Sequence, residues 1–363
     1  MVLKNKYLFA CEKCGAKLKF SIKDGELKCP YCSHINIIQR AFSNIVENDY
    51  YKTIKNLKNF SDKPPKTKNV KCKSCAAIFE MNDNIHSSVC PYCNSPIVNE
   101  TELYKPIKPQ GLLPFKVTQK DAKEIFKKWL DGLWFAPNKL NEYGTDNSKL
   151  EGVFIPYWTY DAQTYSNYSG RRGDKYYVNE QVFVRRNGRS ELVTKRVEKI
   201  RWSSVSGDLN KPFDDVLVMA SKSLKHHLPN WDLQNLVNYD ESYLSGFESE
   251  IYSVELDNGF EIAKYKMDRY IRNDIKVQIG GDIQEIDRLN TQYDQITYKH
   301  ILLPIYASAF EFKGKIYSYV INGRNGEISG DRPYSYLKIA FSIIAIATVI
   351  SVLYYFFGDK YYY

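Results

Sequence analysis

The feature that most constrains the fold of this chain is a cysteine pattern that occurs twice at one offset. The tetrapeptide CPYC stands at Cys29–Cys32 and again at Cys90–Cys93, 61 residues later. Each copy follows a second C-x2-C pair, with 14 residues between the two pairs in both cases. The quartets use all eight cysteines of the 363-residue chain: Cys11, Cys14, Cys29 and Cys32 in the first, Cys72, Cys75, Cys90 and Cys93 in the second.

This spacing predicts a four-cysteine zinc site in each quartet. A C-x2-C turn places two sulfurs on one side of the chain, and two facing turns complete a tetrahedron with Zn–S distances of about 2.3 Å. Between the pairs, Ala16–Ser21 reads as a short strand and Lys23–Gly25 as a turn. So small a unit buries too little apolar surface to fold alone, and zinc would stabilise it by roughly 10–16 kcal/mol. We therefore expect two structural Zn²⁺ ions.

Other uses of the cysteines explain the repeat less well. Disulfide pairing gives no reason for it, and Met1–Ala10 lacks the apolar run of a signal peptide, which favours a reducing compartment. Rubredoxin-type iron uses similar pairs, normally with a longer insert. His34 and His86 lie near the ligands, but each quartet is already complete without a histidine.

The other end of the chain predicts a membrane anchor. Ile339–Gly358 carries no charge over twenty residues, and as a helix it would span about 30 Å, the thickness of a bilayer core. A buried helix of a globular domain would need enclosure on every face. Arg332 and Lys338 precede the segment, and this bias predicts that the N-terminal bulk lies in the cytoplasm. The expected topology is a single-pass, tail-anchored protein.

The composition and charge of the chain indicate a strand-rich protein with an anionic partner. Aromatic residues make up 15% of the chain, and they favour strands. The formal charge is +9, which two zinc tetrathiolate sites would reduce to about +5. The excess is concentrated in Arg171–Arg201, with ten Lys and Arg against four acids. A nucleic-acid surface, a contact with anionic headgroups and a solvated hairpin all remain open for this segment.

The rest of the chain predicts an α+β fold. Helices are expected at Asn44–Phe60, at Asp121–Leu133 after the N-cap Thr118, at Asp214–His226 and within Ile262–Asn273. From Glu151 the pattern becomes strand-rich. The expected organisation is zinc ribbon 1 at 1–40, helix and linker at 41–69, zinc ribbon 2 at 70–101, a connecting helical segment at 102–150, a strand-rich α+β domain at 151–336 and a transmembrane helix at 337–358.

Signatures of common enzymes are missing from the sequence. There is no G-x-x-x-x-G-K-[ST] phosphate loop, no G-x-S-x-G and no H-E-x-x-H. His226 and His227 follow the predicted helix that carries Asp214 and Asp215, an arrangement that suits a metal or acid–base site. Acids in the first turn of a helix are equally explained by its dipole. We therefore expect no catalytic residues.

Two resemblances support this interpretation. CEKCG…CPYC and CKSCA…CPYC resemble the TFIIB-type and rubredoxin-like zinc ribbons over about 25 residues each. Most of the chain looks like a group of bacterial zinc-ribbon proteins with a C-terminal transmembrane helix, through GVFIPYWTYDA, FDDVLVMAS, KHILLPIY and YVINGRNGEISGD. Some members are labelled primosomal-helicase-like. For this chain that label applies at most to the paired cysteines, because the ATPase motifs of a helicase are absent.

Together these features predict a zinc-binding, membrane-anchored adaptor or scaffold that faces the cytoplasm and recruits protein partners through its paired ribbons. The alternative is a nucleic-acid-binding zinc-ribbon protein tethered to the membrane. An enzyme of unknown chemistry in the α+β domain is a third reading.

Overall fold

A computed structural model shows a mixed α+β fold built around one large, mostly antiparallel sheet, as the sequence predicts. It describes residues 9–16, 18–39, 45–59, 69–71, 78–80, 87–89, 96–98, 107–137, 140, 150–186 and 189–357, with backbone only at 58–59, in the short segments between 69 and 98, at 185–186 and 189, and at 356–357.

The N-terminal region 9–39, called ribbon 1, is a small three-stranded antiparallel sheet. The turn between its first two strands ends on Gly25, whose φ of +68° suits glycine. One face of the sheet is buried through Leu18, Phe20 and Leu27. The strands are β1 (Lys19–Ser21), β2 (Glu26–Lys28) and β3 (Ile35–Asn36), paired in that order.

Five more short strands and one helix are described next along the chain. Helix α1 confirms the helix predicted within Asn44–Phe60, although it begins later, and its Tyr50 ring packs 4.9 Å from that of Phe260. In chain order the elements are β4 (Asn48–Asp49), α1 (Tyr50–Asn59), β5 (Asn69–Lys71), β6 (Ile78–Glu80), β7 (Ser87–Val89) and β8 (Pro96–Val98). The pairs β5–β6 and β7–β8 are antiparallel.

The helix predicted after Thr118 is confirmed together with its cap. After β9 (Gly111–Leu112), helix α2 (Gln119–Asp131) begins where the Thr118 side chain accepts the Asp121 N–H, while the Asp121 carboxylate accepts the Thr118 N–H. This capping box satisfies two backbone donors that would otherwise lack partners. The helix packs against the large sheet by stacking Phe126 on Tyr319, with 3.9 Å between ring centroids.

Three unusually long strands form the centre of the large sheet. They are β10, β11 and β14, and β10 lies between the other two. The remaining strands are shorter and extend one edge or add local pairs. The bounds are β10 (Glu151–Arg186), β11 (Arg189–Met219), β12 (Val237–Asn238), β13 (Glu248–Ser249), β14 (Ile283–Phe312), β15 (Lys315–Asn322) and β16 (Ile328–Gly330), and the sheet order is β11-β10-β14-β15-β16.

Helix α3 (Leu256–Ile279) covers one face of the central strands, so the helix predicted within Ile262–Asn273 is confirmed and is longer. Its first turn is fixed by buried hydrogen bonds: Trp158 Nε1 donates to Val254 O and the Tyr160 hydroxyl to Leu256 O. Gly259 lets the helix approach because a Cβ there would overlap the Tyr160 hydroxyl. The helix ends on Gly280, with φ of +66°.

The helix predicted at Asp214–His226 is wrong. Residues 214–219 belong to β11, and no helix is described between Ala220 and His226. The pairing of β11 with β10 shifts register next to Ala162, so that Asp214 and Asp215 form a bulge. Asp215 has a φ of +51°, a strained value for a residue other than glycine. The hydrophobic run after the acids therefore pairs across the sheet rather than coiling.

The basic segment forms a two-stranded arm (Asp174–Arg201) at one end of the sheet. β14 pairs with β10 only as far as Gly173, beyond which β10 and β11 continue as a hairpin. Both faces of the arm are largely open to solvent, and Phe183 is 77% exposed. Its strands extend about 40 Å beyond the third strand, at about 3.3 Å per residue.

Candidate metal centre and membrane anchor

The two cysteine pairs of ribbon 1 fold into matching turns. The N–H of Cys11 donates to Ala16 O, and that of Cys29 donates to His34 O, so each turn closes over six residues. In both turns the residue after the second cysteine has a positive φ, +72° at Gly15 and +56° at Ser33. The turns thus present their cysteines in the same way toward a common point.

The four sulfurs of this quartet lie close enough to hold one metal ion. Cys11 Sγ is 3.5 Å from Cys32 Sγ, Cys14 Sγ is 3.5 Å from Cys29 Sγ, and all four lie within 4.8 Å of one another. A tetrahedron with an edge of 3.5 Å has corners about 2.1 Å from its centre, close to the 2.3 Å of a Zn–S bond. Four thiolates in this geometry match a closed structural zinc site, so these four predicted ligands come together.

The surroundings of the quartet move the pKa values of two of its thiols in opposite directions. A backbone hydrogen bond at Ala16 lowers the pKa of Cys14, but hydrogen bonds from the neighbouring sulfurs outweigh it and raise that pKa, whereas the pKa of Cys29 is lowered. The backbone N–H of Cys32 lies 3.5 Å from Cys29 Sγ and lowers the pKa of that thiol to about 6, against the opposing effect of burial. A thiolate is the form that binds metal, and metal binding requires this deprotonation. The backbone of the turn therefore prepares Cys29 as a ligand.

Ribbon 1 is docked on the large domain. The Phe20 N–H donates to Ser245 O at 2.8 Å, and Ser245 Oγ donates to Leu18 O at 2.7 Å. The ring of Phe20 packs 5.3 Å from that of Tyr243 and 6.5 Å from that of Phe247. The metal centre is therefore held at the end of the sheet where β10 begins, because β13, which follows Phe247, pairs with Val153 and Phe154.

The second quartet, Cys72, Cys75, Cys90 and Cys93, lies outside the described residues. The strands around it are informative, however. β5 and β6 flank the six residues 72–77, and β7 and β8 flank the six residues 90–95. In ribbon 1, β2 and β3 likewise flank the six residues 29–34. The second zinc site stays a prediction, supported by this identical loop length.

The C-terminal helix α4 (Tyr336–Phe357) is long and apolar enough to cross a bilayer. The span Tyr336–Tyr355 has no buried share within the protein, so the alternative of an enclosed core helix is not what the structure shows. Its base is fastened to the domain: Lys338 Nζ donates to Ala136 O at 2.7 Å, and the Ser335 N–H donates to Phe135 O. The cytoplasmic orientation of the bulk stays a prediction.

The site suggested by Asp214, Asp215, His226 and His227 does not assemble in the structure. His226 Nε2 lies 3.4 Å from Asp331, in a different part of the sheet. The two acids instead approach Glu47 and Asp161, and three carboxylates, those of Glu47, Asp161 and Asp214, lie within 4.8 Å of one another.

A buried lysine lies against this carboxylate cluster and offsets part of its negative charge. Lys299 Nζ lies 2.7 Å from Glu47 and 2.8 Å from Asp215. Burial opposes the charged ammonium, but its hydrogen bonds to Asp215 and Glu47 outweigh that effect and raise the pKa of Lys299. Burial raises the pKa of Asp161 to about 6. The Lys299 ammonium already supplies a cation to Glu47, Asp161 and Asp215, which favours a structural ion network. Sequence reasoning missed it because its members come from four distant segments.

The chain is similar over nearly its whole length to an uncharacterized protein of Bacillus subtilis (strain 168), YdjG. The two are 22% identical over 360 residues, covering 95% of this chain and 96% of that protein. None of the protein-family models matches the chain, and no solved structure matches it. The resemblance to TFIIB-type ribbons therefore rests on the cysteine cluster. The structure itself shows a candidate metal centre that a strand-rich domain connects to a candidate membrane helix.

Proposed function

We propose that this protein is a membrane-anchored adaptor that recruits protein partners through its zinc ribbons and catalyses no reaction. The observation that best supports this proposal is the four-sulfur cluster of ribbon 1, which is held on a domain that continues into an exposed apolar helix. A closed site of four cysteines leaves no position for substrate, as in structural zinc sites. Its role is then to hold the surface of ribbon 1 in shape.

That surface carries three exposed apolar side chains close together in the sequence, called the ribbon patch: Tyr31, Ile35 and Ile37. Tyr31 is 83% and Ile37 80% exposed. Ile35 and Ile37 are two residues apart and so share one side of the chain, while Ile38 faces the core. Exposed aromatic and aliphatic side chains grouped on a rigid support are typical of protein interfaces. The second quartet repeats CPYC with Tyr92, which supports two similar contacts on one chain.

The charge of ribbon 1 favours a protein over a nucleic acid as its partner. Residues 9–39 contain five lysines and three acids, and a zinc tetrathiolate contributes a charge of about −2. The ribbon is therefore close to neutral overall. Nucleic-acid surfaces need an excess of positive charge to displace counterions from phosphates.

The alternative, binding of nucleic acid, would have to use the arm, which carries eight Lys and Arg against four acids. Several of these Lys and Arg side chains already contact acids or aromatic rings within the arm. Lys175 pairs with Glu198, and Lys199 with Glu180. The guanidinium of Arg196 lies 4.1 Å from the ring centroid of Tyr177. Ring faces covered in this way are poor platforms for stacked bases.

The test is recovery of partners from detergent-solubilised membranes by the full-length protein, with and without nuclease. A Tyr31→Ser/Ile37→Ser variant removes the ribbon patch, and Val277→Ser, at a residue that is 76% exposed on α3, is the matched control. We expect defined protein partners that survive nuclease, persist with the control and are lost with the ribbon-patch variant. Material that disappears with nuclease would replace the adaptor by the nucleic-acid alternative.

A further inference from the structure

We propose that the cleft at the base of helix α4 binds the phosphate of an anionic phospholipid headgroup, through Lys315 and Arg332. This inference rests on the membrane anchoring of the proposed function and adds a ligand to it. The cleft has a volume of about 630 Å³ and lies between the β14–β15 turn, strand β16 and the segment that leads into α4. Its walls include Trp129, Tyr317 and Tyr334.

The position of the cleft places it at headgroup height. Arg332 precedes the first residue of α4 by four positions, so at most about 14 Å of extended chain separates them. The start of α4 is fixed in turn by the bonds of Lys338 and Ser335 to the segment Phe135–Ala136. A helix that enters the hydrocarbon near Tyr336 therefore holds the cleft in the polar layer of the bilayer.

Both cationic groups of the cleft are available to an anion. Among the described residues, neither Lys315 nor Arg332 forms an ion pair with a carboxylate. Arg332 Nε donates to the Tyr334 hydroxyl at 3.0 Å, and its guanidinium lies 5.3 Å from that ring centroid, which orients the group and leaves its terminal N–H donors. Guanidinium donors of this kind match phosphate oxygens.

The one acid of the cleft is engaged elsewhere. The Asp331 carboxylate accepts from Ser318 Oγ at 3.2 Å and lies 3.4 Å from His226 Nε2. It therefore does not pair with either cation of the cleft. The cleft keeps a net positive charge at the point where the chain meets the membrane.

Exposed apolar side chains surround the cleft and the start of α4, as expected for a surface that touches a bilayer. Trp134 is 82% exposed, Tyr336 85% and Ile316 69%. Aromatic residues with one polar edge are enriched at the membrane–water interface, where they set the depth of a protein. Charge and surroundings together thus select a phospholipid.

The inference is tested with the full-length protein in nanodiscs that mix phosphatidylcholine and phosphatidylglycerol. Native mass spectrometry of the released protein counts the molecules of each lipid that remain bound. Two cationic side chains at a membrane surface, at about fivefold each, give roughly a 30-fold preference for the anionic lipid. We expect Lys315→Gln/Arg332→Gln to abolish it. The matched control, Lys195→Gln/Arg269→Gln, removes the same charge from the arm and from α3, and we expect it to keep the preference.

The possible outcomes distinguish the lipid site from the membrane anchor. If the protein enters nanodiscs but shows no preference, or if the cleft variant keeps it, the lipid site is wrong and the anchor stands. If the protein fails to enter nanodiscs, the anchoring and the lipid site are both wrong. Displacement of the bound lipid by millimolar inorganic phosphate would also overturn the inference, because it would make the cleft a site for free phosphate.

Discussion

Replacing Cys14 by serine is expected to weaken zinc binding at ribbon 1 enough for a chelator to remove that ion, while the large domain stays folded. Cys14 is the exposed member of its quartet, whereas Cys11 and Cys29 are buried, so Cys14→Ser removes a thiolate and opens no cavity. A structural zinc site is stabilised by roughly 10–16 kcal/mol at neutral pH, so the loss of one of four equal ligands costs about 2.5–4 kcal/mol. That corresponds to zinc binding about 100- to 1000-fold weaker.

The assay is the zinc content of the purified full-length protein by elemental mass spectrometry, followed by competition with a chelator. We expect about two zinc ions per chain in the wild type and about one in Cys14→Ser, because the second quartet is independent of the first. Lys13→Ser changes an exposed residue of the same turn that is not a ligand, and it should keep both ions. Cys75→Ser should also reduce the content to about one, since it breaks only the second predicted site.

The reasoning fails if Cys14→Ser binds as much zinc as the wild type and competes equally with the chelator. That result would mean that the four sulfurs approach one another without serving as a metal centre. A wild-type content of about one zinc, unchanged in Cys75→Ser, would instead refute only the second site.

Two further predictions follow from burial. Phe20→Ala should weaken the docking of ribbon 1 by about 3–5 kcal/mol, as for other buried aromatic residues. The backbone amide at position 20, which donates to Ser245 O, should then exchange hydrogen at least 100-fold faster, while the zinc content stays unchanged. An exchange rate equal to that of the wild type would contradict the docking. Burial lowers the pKa of His300 to about 4, so its contribution to stability is full above pH 6.5 and is lost as the pH falls toward 4, by about 3 kcal/mol. The melting temperatures of the wild type and His300→Gln should therefore converge as the pH falls from 7 to 4.5. Asp161, whose pKa is raised, has the opposite pH dependence, but it is present in both proteins and its effect cancels. Parallel profiles of melting temperature against pH would contradict this prediction.

The features predicted well from the sequence are those set by local chemistry. The C-x2-C spacing is enough to place four sulfurs around one point, because each turn closes over six residues. The capping box of Thr118 and Asp121 needs only neighbours three positions apart. The centre of helix α3 is predicted, but its first turn is missed because that turn depends on hydrogen bonds from Trp158 and Tyr160, which are distant in the sequence.

The features that the sequence did not reveal depend on distant pairing. Asp214 and Asp215 look like first-turn acids of a helix, and only their partners across β10 turn them into a bulge. The Lys299 network joins residues that are up to 252 positions apart. The solvent exposure of the ribbon-patch side chains and the lack of a carboxylate partner for Lys315 and Arg332 among the described residues likewise depend on the three-dimensional fold and cannot be read from the sequence.

The register of the sheet separates the two ends of the molecule and thereby distinguishes the roles of its surfaces. Ribbon 1 docks where β10 begins, and that end of β10 pairs with β14 at Ala307, near the β14–β15 turn. From this turn β15 and β16 lead the chain back along the edge of the sheet and on to α4. The arm leaves from the opposite end of β14, up to about 95 Å away along an extended strand of 30 residues. A partner on the ribbon patch is therefore held near the membrane end of the protein. The arm and the start of the candidate membrane helix lie at opposite ends of β14, so we expect the arm's positive charge to be distant from headgroups around that helix. If nucleic acid does bind, removing the arm should abolish its binding and leave the ribbon partners in place.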